Sequence, residues 1–149
     1  MLVNSPEGSL QGKKQFVFRR FFAPKSGPLS GKPGVRRLKT YSAQSGYVYQ
    51  YFYEGHRPFR SGAESGTEFV FSLSADRKNW SPAPVLVSDA ALASWEQAHQ
   101  RDLSSSERYA IAKMALFQAF DERAAPEQMK QEIRVRHADV EAIVETLGL

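Results

Sequence analysis

The chain has 149 residues, a net charge of +4 and no cysteine. The missing thiols exclude disulfide staples, Cys-based metal sites and thiol catalysis, and 42% hydrophobic with 24% charged residues is the balance of an ordinary soluble globular protein. That length predicts one domain over residues 1–149, burying about 68–70% of its unfolded surface.

The net charge hides an asymmetry. Residues 1–40 hold nine Lys/Arg against the single acid Glu7, whereas the other 109 residues hold eleven bases and fifteen acids. A basic segment of this kind suits an anionic partner or the protein's own acidic helices. The first residues, Met1 to Gly8, lack the basic and apolar regions of a secretory signal, and no apolar run approaches the ~18 residues of a bilayer span. The expected location is the cytoplasm, with no membrane partner.

Residues 1–14 read as a flexible start, and 15–87 as mainly strands and loops. Gln15–Phe22 is rich in Phe and predicts a strand. Residues 23–34 contain three prolines and three glycines and predict a loop studded with Lys25 and Lys32. Leu38 to Glu54 predicts the central strand, bent at Gly46. From Tyr47 to Tyr53 every odd position is a tyrosine, so four phenol rings line one sheet face. Residues 55–66, with three glycines and a proline, predict a turn-rich connection. Thr67–Ser74 alternates cleanly as a strand, Asp76–Asn79 is a polar reversal, and Val85–Val87 is a short strand placed at an edge by Pro82 and Pro84.

From Ser88 the hydrophobic period lengthens, and residues 88–149 read as helical. Ser88 or Asp89 caps a helix ending near Gln100. Ser104 and Glu107 form a capping box ahead of a helix over 108–123, apolar nearly all round and interrupted mid-helix only by Lys113 and Gln118. Pro126 opens a third helical stretch, which either runs to Leu147 or breaks near Val135–Ala138 and restarts at Asp139. The break is the preferred reading, and Gly148 ends the last helix. The fold expected is α+β: an antiparallel sheet of three or four strands from the N-terminal half, packed on one face by three to four C-terminal helices. Phe69, Phe71, Leu73, Trp95, Leu116, Phe117 and Phe120 are its expected core.

Three candidate sites follow. The row Tyr47, Tyr49, Tyr51 and Tyr53, beside Arg19, Arg20, Arg36, Arg37 and Lys39, has the residue types of a surface that binds a protein partner. Single-stranded nucleic acid is the alternative, since bases stack on aromatic rings. The bland reading makes the same rings a floor beneath the segment Phe16–Phe22. Glu54 and His56, near a strand end, could serve as acid and base in an enzyme, although no nucleophile accompanies them. His56, His99 and His137, widely separated and without Cys, do not suggest a metal site, although Asp89 or Asp139 could join one in space. Neither a G-x-G-x-x-G, a Walker loop, a G-x-S-x-G nor an H-E-x-x-H occurs, and Gly27 to Pro33 only echoes a phosphate loop. No cofactor is implied. The stripe Met129, Ile133, Val140, Ile143, Val144 and Leu147 packs inward or, alternatively, against a second copy in a homodimer. The best expectation is a small non-enzymatic binding or adaptor domain.

Overall fold

The computed structural model describes residues 27–149. The strand expected at Gln15–Phe22, the flexible start, and Arg19 and Arg20 lie outside the described residues. Within them the order is β1 (Lys39–Ser42), β2 (Val48–Ser61), β3 (Glu64–Ser74), β4 (Ser81–Ser88), α1 (Asp89–His99), α2 (Ser105–Glu122), a 3-10 turn (Pro126–Lys130), β5 (Ile133–Val135) and α3 (His137–Leu147). The five strands form one sheet in sequential order, antiparallel except for the parallel pair β4–β5. The architecture is α+β, as expected, but the sheet has five strands rather than three or four and is mixed rather than antiparallel.

Each departure from expectation has a local cause. The central strand is not bent at Gly46 but divided there. Ala43 and Tyr47 close a tight turn, with the Ala43 N–H donating to the Tyr47 carbonyl at 2.9 Å. β1 then runs back along β2, placing Lys39 opposite Tyr51 and Tyr41 opposite Tyr49. The turn-rich connection expected at 55–66 is paired strand almost throughout, reversing only between Ser61 and Glu64. Two of its glycines serve the sheet rather than a loop. Gly55 sits at a register shift with φ 126, and a Cβ there would stand 2.7 Å from the Ser30 carbonyl oxygen. A Cβ on Gly66 would fall 2.1 Å from the Val87 carbonyl oxygen, so the backbones of β3 and β4 approach too closely for a side chain.

β4 is not an edge strand. Its partner β5 spans only Val85–Val87, however, so Pro82 and Pro84 precede the stretch paired on both sides. β5 itself contradicts the wholly helical reading of 88–149. Ile133 and Val135 are both buried, and their period of two was hidden inside an apparent helical stripe. The stretch 126–147 is therefore neither one helix nor two. It is a 3-10 turn, a strand and then α3, which starts at His137 with Asp139 accepting from the Arg136 N–H at 2.8 Å.

Other readings hold. Ser88 caps α1, and Ser104 with Glu107 forms the capping box of α2. Asp76 holds the 76–79 reversal by accepting from the N–H groups of Lys78 and Asn79. α3 ends at Gly148. Phe69, Phe71, Leu73, Trp95, Leu116 and Phe120 are buried, with Phe117 partly so. α2 is not apolar on all sides in effect: Ile111, Ala112, Ala115, Leu116, Ala119 and Phe120 are buried, while Lys113 and Gln118 lie in its half-exposed part. The apolar residues of α3, Val140, Ile143 and Val144, are buried within this chain. No helix among the described residues is long and apolar enough to cross a membrane.

Candidate functional site

The tyrosine row is covered, and its cover is α2. Tyr49 stacks on Phe120 with ring centroids 4.3 Å apart, Tyr51 meets Phe117 edge-on at 5.7 Å, and Tyr53 packs on Tyr109 at 4.7 Å. Tyr49 and Tyr51 are buried, Tyr53 is half-buried, and only Tyr47 is exposed. Burial pushes every one of the three inner phenols upward, Tyr53 to about 12 with help from the neighbouring Tyr109. These rings hold the helix on the sheet, and the buried Tyr49 and Tyr51 offer no open face on which a base could stack. Among the described residues the cover of this floor is α2; the segment Phe16–Phe22, expected there, lies outside them.

The turn before β2 is tied to the far end of α2. Tyr41 donates its hydroxyl proton to Asp121 Oδ2 at 2.8 Å, the Gln44 N–H donates to Asp121 Oδ1 at 2.9 Å, and the Ser45 hydroxyl donates to the Phe120 carbonyl at 2.9 Å. The edge of the sheet is thereby fixed relative to the helix.

Glu54 and His56 are not brought together. The extra residue at the Tyr53–Gly55 bulge shifts the alternation, so that His56 pairs with Phe69 and joins Tyr53 on the helix side. Its Nδ1 lies 3.2 Å from the Tyr53 hydroxyl, and its backbone pairs with Ser30 through bonds of 2.7 and 2.9 Å. Glu54 is engaged elsewhere. It accepts from the Ser72 hydroxyl at 2.6 Å and from the Arg36 guanidinium at 2.7 Å, and Arg36 lies over the Phe52 ring at 4.2 Å. A shared acid–base pair is absent, and Arg36 is spent on this ion pair.

Arg37 and Lys39 stand differently. They line a hollow of about 230 Å³ between the β1 edge and α2, together with Tyr51, Tyr53, Tyr109 and Lys113. Among the described residues no carboxylate forms an ion pair with any of these three cations. The Lys113 ammonium sits 5.8 Å from the Phe117 ring centroid and 6.0 Å from that of Tyr109, at the limit of cation–π attraction. Burial holds it below the ordinary lysine range, and the like charge of Lys39 adds to the effect. A half-buried ammonium whose named charged neighbour is another cation is a place where an anion is stabilised on arrival. Beside it, β1 ends the sheet, four residues long and largely exposed, and no described strand pairs with its outer edge.

The sequence reading named Arg37 and Lys39 but missed Tyr109 and Lys113. Lys113 was visible as a lone cation in an apolar helix, four residues from Tyr109 and therefore on the same face. No family model matches the chain, and no curated protein or solved structure does either.

Proposed function

We propose that the protein is a non-enzymatic binding module that takes an acidic, extended segment of a partner protein along the outer edge of β1. An exposed edge strand carries unpaired N–H and C=O groups, and a peptide added to it gains main-chain hydrogen bonds while alternate side chains find pockets. Here the pocket beside the edge holds Arg37, Lys39 and Lys113, so an Asp or Glu side chain entering it neutralises a cation cluster. Exposed Val35 and Leu38 precede the strand and supply apolar contact. The single observation that carries this reading is the half-buried Lys113 facing Lys39, with no ion-paired carboxylate among the described residues.

Nucleic acid is the competing partner, and the covered ring faces speak against it because stacking needs open rings. Fluorescence anisotropy with a Glu/Asp-rich peptide and with a single-stranded oligonucleotide tests the choice. The acidic peptide is expected to bind at low salt, to weaken as salt is added, and to be lost in the Lys39→Glu/Lys113→Glu double variant. Tight binding of the oligonucleotide alone supports the alternative. If neither ligand binds, Lys39 is simply an edge guard against strand pairing.

A further inference from the structure

A second, larger hollow of about 610 Å³ opens on the other side of the Tyr53–Tyr109 pair. Its walls include the rings of Phe69, Tyr109, Tyr53 and His56, and Ser105 and Arg108 from the first turn of α2 also line it. No carboxylate among the described residues does. The local backbone is built around the imidazole. The Gly55 bulge turns His56 to this face, and Gly31 approaches it so closely that a Cβ there would lie 2.7 Å from Cε1.

We propose that this hollow is a binding site for a small aromatic carboxylate. The flat apolar walls suit a planar ring, and the polar lining is of groups that can donate hydrogen bonds, the Ser105 hydroxyl and the His56 ring among them. The Tyr53 hydroxyl and His56 Nδ1 lie 3.2 Å apart, and the binding tautomer we propose is the one in which the hydroxyl donates to Nδ1 and the imidazole proton is on Nε2. Nε2 has no hydrogen-bond partner among the described residues, and in that tautomer it is the donor left for a ligand. Arg108 brings no free charge, because its guanidinium already donates to Glu96 at 3.0 Å and to the Leu103 carbonyl at 3.2 Å. A lining of mainly neutral donors fits a singly charged carboxylate better than a phosphate dianion. The site is separate from the β1 edge and does not depend on the peptide reading.

NMR titration of the full chain with benzoate, and with benzyl alcohol as the ligand lacking a carboxylate, tests the assignment. Benzoate is expected to shift the ring resonances of His56, Phe69 and Tyr109 saturably in the millimolar range, with benzyl alcohol weaker. His56→Ala should weaken benzoate by about tenfold or more, the loss of one charge-assisted hydrogen bond. His56→Gln keeps an N–H donor in a side chain of similar reach, and should retain more affinity than alanine. Shifts that fail to saturate or map elsewhere overturn the proposal. So does equal binding of benzyl alcohol, or unchanged benzoate affinity in a folded His56→Ala.

Discussion

The rings of Tyr49 and Phe120 lie 4.3 Å apart and 13° from parallel, joining the start of β2, beside the sheet edge, to the last turn of α2. Both side chains are fully buried. Phe120 also touches Tyr41 and Tyr51, so one ring carries much of the contact between helix and sheet edge. Phe120→Ala is expected to cost about 3–5 kcal/mol, the range for removing a buried aromatic and leaving a cavity. Urea unfolding measures it, and a loss below about 1 kcal/mol would mean that α2 is not seated on these tyrosines.

The Tyr49 hydroxyl is buried with no hydrogen-bond partner among the described residues. An unsatisfied buried hydroxyl carries its desolvation cost without return, so Tyr49→Phe should leave stability unchanged or raise it by about 1 kcal/mol. A clear loss in the same unfolding assay would reveal a partner for that hydroxyl.

Gly55→Ala probes the bulge. The new Cβ meets the Ser30 carbonyl oxygen at a backbone φ of 126, a conformation reserved for glycine. The expected cost is about 1–3 kcal/mol, together with loss of the Ser30–His56 bridge. Amide exchange at Ser30 and His56 reports the bridge directly. Unchanged protection would show that the bulge does not depend on glycine.

Acid should loosen two capped turns. The Leu103 N–H, with Arg108 beside it, holds the Glu96 carboxyl below its usual range. The N–H groups of Asn79 and Lys78 hold Asp76 lower still. Both groups have depressed folded values, so their contribution is present above the unfolded carboxylate range and fades as pH falls below about 4.5. Urea midpoints should therefore drop below that pH in the wild type. Glu96→Gln should flatten the slope; an equal slope in the variant would assign the acid sensitivity to other groups.

Much of the fold was legible where local chemistry is strong. Ser88, Ser104 with Glu107, Asp76 and Gly148 each mark a boundary through bonds made within a few residues, and the structure keeps all four. The misreadings came where distant backbone decides. Gly55 and Gly66 look like loop residues until Ser30 and Val87 are seen against them. β5 is three residues long and exists because β4 offers Val85–Val87 an open side, which no local pattern records. For the site, alternation placed Tyr49, Tyr51 and Tyr53 on one face, as the structure has them, but could not say what lay above it. The helix that covers them was read as core, so Lys113 and Tyr109 were not joined to Lys39 until the topology set α2 beside β1.

Hydrogen exchange at the β1 amides, Lys39 to Ser42, tests the binding proposal most directly. Half of a strand's backbone groups point away from its partner, so the outward amides of β1 should exchange quickly in the free protein and slow on addition of an acidic extended peptide. The account predicts that slowing in the wild type and its absence in Lys39→Glu/Lys113→Glu. Peptide binding that leaves every β1 amide unprotected, or protection that survives the double charge reversal, would contradict it.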